Sequence, residues 1–358
     1  SSALETQNFT TATDAYNTAV GFSAGKAVTT GLRNTYLGGL AGDAQTDADD
    51  NVAIGYNALS GDTVGSRSVA IGKGALNVQN PATAANMQNV AVGYHAGTSV
   101  TTGVQNVLLG ANAGDAINTA NYNVAVGDSA LSTDTKGDRS VAVGYFSLYT
   151  QNFTTATEAY NTAVGFASGQ LITTGQYNTL IGGLAGDALT DADRNVAVGY
   201  SALGSDTQGG RSTAIGFSAL GGQNNTTAAN SYNVAVGYDA GASVSTGQQN
   251  TLIGSTAGDA ITTGNYNVCL GWAAGTHGIN LETGNQNIVI GAFADTSTTM
   301  AQGAVVIGYD VTGTEGFTTL GNSTSDIRAS HGTATWATVS DERYKKDITD
   351  STLGLSFI

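Results

Sequence analysis

Short apolar stretches recur along the chain in a fixed order of apolar and polar positions. Each copy reads Asn, one variable residue, two apolar residues, Gly, two variable residues and Ala, as in Asn51-Val52-Ala53-Ile54-Gly55. In this copy Val52 and Ile54 alternate with Ala53, and a period of two is typical of a β-strand. Gly55 ends the strand, and we expect a second short extended segment to begin at Ala58. The pattern predicts an all-β chain built from very short strands.

The motif repeats with two periods. Its glycines are Gly21, Gly38, Gly55, Gly72, Gly93, Gly110, Gly127, Gly144, Gly165, Gly182, Gly199, Gly216, Gly237, Gly254, Gly271, Gly291 and Gly308, with a degenerate copy at Gly321. Successive glycines are separated by about 17 residues three times and then by about 21 residues, and this group runs three times, so the super-repeat is about 72 residues long. A unit of about 17 residues cannot bury its own apolar side, whereas stacked copies share a continuous core. We therefore predict a parallel β-solenoid with about 17 residues per coil.

Parallel stacking would place equivalent residues of successive coils about 4.8 Å apart. Asn17, Asn34 and Asn51 would then form a ladder of side-chain amides. Coils at this spacing would make a rod about 85 Å long.

Composition and charge exclude several classes of protein. The 358 residues include 50 Gly, only 11% are charged, and the net charge is −15. This acidic balance argues against nucleic acid as a partner, because phosphate binding needs clustered Lys and Arg. Cys269 is the single cysteine, so no intrachain disulfide is expected. No apolar run is long enough to span a membrane, and we expect neither membrane insertion nor a cofactor.

The repeats resemble those of known fibrous proteins. The Asn-Val-Ala-Ile-Gly units resemble the head repeats of trimeric autotransporter adhesins. The segment from Thr30 to Gly38, with related copies at Thr174 to Gly182 and Thr246 to Gly254, resembles the Thr-Gly-x-x-Asn-Thr arrays of phage and bacterial tail-fibre proteins. The resemblance covers roughly residues 7–321 and implies left-handed β-rolls assembled as a homotrimer.

A second resemblance lies at the C-terminus. The segment from Val339 to Ile348 resembles the start of the endosialidase-type intramolecular chaperone, which assembles phage fibre trimers and then cleaves itself off. The resemblance implies a scissile bond between Ser340 and Asp341, with Ser340 as nucleophile and Lys345 as its base. The sequence stops at Ile358, soon after Ser340, so we expect a stub of this domain that does not cleave.

The sequence predicts three regions. Residues 1–309 form the solenoid, with super-repeats at about 7–78, 79–150, 151–222 and 223–309. Residues 310–340 are expected to form an extended neck of the trimer, and residues 341–358 the chaperone stub.

Every fourth coil carries four extra residues, at 7–12, 79–84, 151–156 and 223–228. Insertions in a solenoid map to loops on one side, which is often the binding side. They could contact a host glycan or protein receptor, or they could be neutral bulges. The candidate contact residues are Asn8, Phe9, Asn80, Asn152, Phe153 and Asn224.

Other recurring side chains favour structural roles. The acidic turns at 43–50 and 187–193 could bind Ca²⁺, but solvated turn carboxylates are the preferred interpretation, and we expect no metal site. Arg67, Arg139 and Arg211 recur once per super-repeat and are expected to pair with acidic turns. The aromatic residues that follow the motif glycines are expected to pack at corners of the coil, with sugar binding as the alternative.

These observations favour a non-enzymatic extracellular fibre of a virion or cell surface, with self-cleavage in a full-length precursor as its one expected reaction. Two alternatives stay open. A polysaccharide-degrading tail spike would use paired carboxylates between chains, and an ice-binding solenoid would present a flat array of Thr.

Overall fold

The computed structural model describes residues 2–323, 325–332 and 337–338. In these residues the chain is all-β, and it forms the predicted parallel β-solenoid of about 18 turns. The strands are β1 (Thr18–Val20), β2 (Thr35–Leu37), β3 (Val52–Ile54), β4 (Gly65–Ser66), β5 (Val69–Ile71), β6 (Ala85–Asn86), β7 (Val90–Val92), β8 (Val107–Leu109), β9 (Val124–Val126), β10 (Gly137–Asp138), β11 (Val141–Val143), β12 (Thr157–Glu158), β13 (Thr162–Val164), β14 (Thr179–Ile181), β15 (Val196–Val198), β16 (Gly209–Gly210), β17 (Thr213–Ile215), β18 (Ala229–Asn230), β19 (Val234–Val236), β20 (Thr251–Ile253), β21 (Val268–Leu270), β22 (Ile288–Ile290), β23 (Asp295–Thr296), β24 (Val305–Tyr309), β25 (Thr312–Gly313), β26 (Phe317–Asn322), β27 (Ser325–Ser330) and β28 (Ala337–Thr338).

One short strand from each coil joins a single long parallel sheet. The register places each motif residue opposite its counterpart in the next coil, so that Val52 pairs with Val69 and Ala53 with Ala70. Parallel addition continues through β26, and β27 then pairs antiparallel with β26. The periodicity of the sequence is thus the periodicity of the hydrogen bonds.

Alanine is the commonest inward residue of the motif strands, and Tyr36, Leu108, Leu180 and Leu252 are larger residues at the same position. After the first motif strand, whose Ala19 is partly buried, the middle residue of every motif strand is buried, as Ala53 is, while its neighbours Val52 and Ile54 stay partly exposed on the outer side of the sheet. Leu59 and its counterparts in the turns are fully buried in the same core. Each coil therefore buries a thin apolar layer that only the stacked neighbours complete.

The asparagine ladder forms, but its partners are mainly backbone groups. The side-chain oxygen of Asn34 accepts the backbone N–H of Asn51 at 2.9 Å. The side-chain amide of Asn51 donates to the carbonyl oxygen of Gly65 at 2.8 Å. Each fully buried asparagine of the ladder therefore bonds backbone N–H or C=O groups in the turns of neighbouring coils, which would otherwise be buried without hydrogen-bond partners.

The prediction of a second extended segment beginning at Ala58 is wrong. Residues 56–61 form consecutive turns, in which Asn57 and Leu59 have φ of +57° and +53°. Two left-handed residues so close together reverse the chain, so this segment cannot extend. In the described part of the chain, second strands appear only as two-residue pairs: β4 with β6, β10 with β12, β16 with β18 and β23 with β25.

Candidate functional site

The insertion loops recur at one position of the coil, four coils apart. At parallel-strand spacing this places successive loops about 19 Å apart along the axis. Asn8, Asn80, Asn152 and Asn224 are all exposed. Phe9 is half-buried, whereas Phe153 is only 4% exposed, and its ring lies where a Cβ at Gly137 would be 2.7 Å away. The exposed loop surface comes from the asparagines and the Thr and Ala residues that follow them.

A fully buried aspartate fixes each of the three later loops. Asp134 lies in the coil before the third insertion, and its Oδ1 accepts the backbone N–H of Gly137 at 3.0 Å and of Phe153 at 3.2 Å. Its Oδ2 accepts the side-chain amide of Gln151 at 2.5 Å. The side-chain oxygen of Gln151 in turn accepts the amide of Asn161 at 2.9 Å. The loop is thereby joined to the asparagine ladder.

A buried aspartate with equivalent hydrogen bonds is present in the first and third super-repeats. Asp62 contacts Gly65 and Gln79 in the first, and Asp206 contacts Gly209, Gln223 and Asn225 in the third. Burial raises the pKa of Asp62 and of Asp134, although their hydrogen bonds act in the opposite direction. These three aspartates were not among the predicted site residues. Their signal is an Asp-x-x-Gly motif ahead of each insertion.

Of the recurring arginines, Arg67 alone pairs with an acidic turn as expected, because it lies 4.0 Å from Asp50. Arg139 lies 2.6 Å from Glu158, which belongs to strand β12 and not to an acidic turn. Arg211 instead donates to the hydroxyl of Tyr232 at 2.6 Å. Among the described residues, no group of three or more His, Cys, Asp or Glu side chains is placed to hold a metal ion.

The aromatic residues after the motif glycines are exposed rather than packed inside a corner. Phe217 stacks between Tyr200 and Tyr238, with ring centroids 5.4 Å apart on both sides. Each of the three rings remains about half exposed, at 47–55%. The column therefore forms part of the outer surface beside the sheet.

These rings extend an apolar surface that we call the outer strip. It consists of the first and third residues of each motif strand together with the aromatic residue that follows. Ile181, Ile215 and Ile253 are 37–41% exposed on it, although residues of this type are usually buried. The described residues contribute 18 strands to the parallel stack, so the strip is about 10 Å wide and about 80 Å long.

Ser340 and Lys345, with the bond from Ser340 to Asp341, lie outside the described residues, so their proposed roles stay predictions. Comparison of the chain with family models, curated proteins and solved structures gave no match. In the part of the chain described above, no helix is long and apolar enough to cross a bilayer.

Proposed function

We propose that the chain is a structural segment of a homotrimeric extracellular fibre, in which the outer strips of three copies meet along the fibre axis. The observation that carries this proposal is the strip itself. Its area, about 10 Å by 80 Å, is about 800 Å², above the roughly 300–600 Å² usual for the largest apolar patch on a monomer. It also matches the area that one partner contributes to a standard stable interface.

The partner that fits the strip best is a second copy of the chain. A covering surface must be straight, apolar and as long as the solenoid, and it must repeat at the spacing of parallel strands. The same strip on another copy meets these conditions without further assumptions. With three copies, the strips lie inside and the insertion loops remain outside, where they can contact a host receptor.

The ice-binding alternative is less well supported. The third position of the motif strands carries Val, Ile or Leu, and Thr occupies the first position in only some of them, such as Thr179 and Thr251. The outer strip is therefore a surface of branched aliphatic and aromatic side chains rather than a regular Thr array.

The test is the mass of the full chain in solution by light scattering after size exclusion. We expect about three times the chain mass of 35.9 kDa. The double variant Ile181→Asp/Ile253→Asp should dissociate, because three carboxylates would meet at the axis in each altered coil, and burying unpaired charge is costly. The matched control is Leu171→Asp/Ile279→Asp, whose side chains are 47% and 42% exposed but lie in turns outside the strip.

A monomeric wild-type chain would overturn the proposal. A trimer that tolerates the strip variant as well as the control would show that another surface holds the copies together.

A further inference from the structure

A column of side-chain oxygens accepts backbone N–H groups from coil to coil near the insertion loops. In the first super-repeat, Asp49 accepts the N–H of Leu32 at 2.8 Å, and Ser66 accepts the N–H of Asp49 at 3.0 Å. In the second, Asn121 accepts from Val104 at 3.0 Å and Asp138 accepts from Asn121 at 2.7 Å. In the fourth, Asn265 accepts from Gln248 and Asn285 accepts from Asn265, both at 2.8 Å. Each of these super-repeats has two positions of this kind.

The third super-repeat breaks the column. Asp193 accepts the N–H of Gln176 at 2.8 Å, but the next position is Gly210, which has no side chain. A Cβ built on Gly210 would lie 3.0 Å from the carbonyl oxygen of Asp193 and 3.7 Å from the backbone nitrogen of Asp193. At the equivalent position of the first super-repeat, the side chain of Ser66 accepts the N–H of Asp49. Among the described residues, the backbone N–H of Asp193 has no hydrogen-bond acceptor.

A cavity of about 190 Å³ opens at this place, between the third super-repeat and the fourth insertion loop. Besides Gly210, its walls are Asp191, Ala192, Asp193, Arg194, Gln208, Ala228, Ala229 and Asn230. It is smaller than the roughly 300–1,000 Å³ pockets that take drug-sized molecules. The volume suits a single sugar ring.

The chemistry of the walls favours a neutral hydroxylated ligand. The donors are the free N–H, the guanidinium of Arg194 and the amides of Gln208 and Asn230, and the acceptors include two carboxylates. Two carboxylates against one guanidinium leave a net negative charge, which disfavours an anion. Hydroxyl groups both donate and accept, so they can pair with each kind of group, while the side chains of Ala228 and Ala229 can contact the C–H side of a ring.

We propose that this cavity, the Gly210 groove, binds one neutral monosaccharide unit of a glycan, with the N–H of Asp193 donating to a sugar hydroxyl. The inference rests on the attachment role proposed above and names the class of receptor. It also places the site in the third super-repeat, since among the described residues the equivalent positions of the first and second super-repeats carry the side chains of Ser66 and Asp138.

The test is saturation-transfer NMR of the full chain with neutral methyl glycosides of glucose, galactose, mannose and N-acetylglucosamine, with methyl glucuronide as an anionic probe. We expect at least one neutral glycoside to bind and the glucuronide not to bind. Gly210→Ser should weaken binding by about tenfold or more, because the new hydroxyl takes the N–H and occupies the groove.

Ser66 shows that this coil position accepts such a side chain, so Gly210→Ser should fold. Ser66→Gly is the control that leaves the groove untouched, and it should bind as the wild type does. Binding by none of the neutral glycosides, or equal binding by Gly210→Ser, would overturn the proposal. Light scattering on the same samples reports trimer assembly separately, so loss of sugar binding and failure of the fibre hypothesis are distinguishable.

Discussion

Two adjacent glycines offer a direct test of how closely the coils stack. Gly182 has φ of +136°, and a Cβ on it would lie 2.5 Å from the carbonyl oxygen of Gly199 in the next coil. Gly183 lacks a positive φ, and a Cβ there would meet Tyr200 at an ordinary contact distance of 3.6 Å. The same substitution to Ala at neighbouring positions should therefore have opposite effects.

The magnitudes follow from these distances. At Gly182 an alanine would occupy a sparsely populated backbone region, at a cost of about 1–3 kcal/mol. Separating two coils to remove the overlap with Gly199 adds about 1–3 kcal/mol, as overpacking does in a well-packed core. Gly182→Ala should thus lower the free energy of unfolding by about 2–6 kcal/mol. Gly183→Ala should raise it by about 0.4–1 kcal/mol, because it restricts the unfolded chain.

The assay is urea unfolding followed by far-ultraviolet circular dichroism, at one chain concentration so that assembly is held constant. Hydrogen exchange should locate the damage of Gly182→Ala in β14 and β15, because each coil contacts only its neighbours. Equal midpoints for the two variants would refute the argument that coil separation is set by backbone contact at the motif glycines.

Three further predictions concern buried groups. Burial raises the pKa of Cys269 to about 12, so a chromogenic disulfide reagent should label this thiol only as fast as the chain unfolds, a rate measured with and without urea. Burial also raises the pKa of Asp134 above 3.8, so this group's contribution to stability is present in full below that pH and is lost as pH rises through the folded pKa; urea unfolding from about pH 4 to 8 should show a flatter pH dependence for Asp134→Asn. Asn195→Ala would leave the N–H of Ser212 and the carbonyl of Gly209 without partners, and urea unfolding should show a loss of about 2–5 kcal/mol.

The coil could be predicted from sequence because its determinants recur at a fixed spacing. A strand such as Val52–Ile54 is visible in three residues, and the register follows once every copy is aligned with the next. The turns could not be predicted in the same way. Asn57 and Leu59 both adopt positive φ, and Asn is a residue type enriched there, but Leu is not. The conformation of Leu59 goes with a hydrogen bond to an adjacent coil, from its N–H to the carbonyl of Ala75, which the sequence does not reveal.

For the insertion loops too, the positions could be predicted from the sequence and the contacts could not. Their positions follow from the longer glycine spacing that occurs once in each super-repeat, but their anchors depend on contacts between coils. Asp134 meets Gln151 in the next coil, and only the stacked arrangement reveals that the carboxylate faces a backbone N–H of the loop. The burial of Phe153 has the same origin, because its ring covers Gly137, the glycine of the motif that this aspartate begins.

The Gly210 groove shows how a repeat can acquire one unique site by losing a side chain. Gly65-Ser66, Gly137-Asp138 and Gly209-Gly210 are aligned in the sequence, but the third copy alone frees an N–H of the preceding coil. If three copies assemble through the outer strip, each fibre carries three such grooves at one height. A receptor that carries several sugars, each bound weakly by one groove, would then be held by several grooves at once, and linked sites can raise apparent affinity by about 10²–10⁴ without a new contact. In the proposed fibre, firm attachment would therefore need both assembly of three copies and an intact groove, and the two requirements have separate tests.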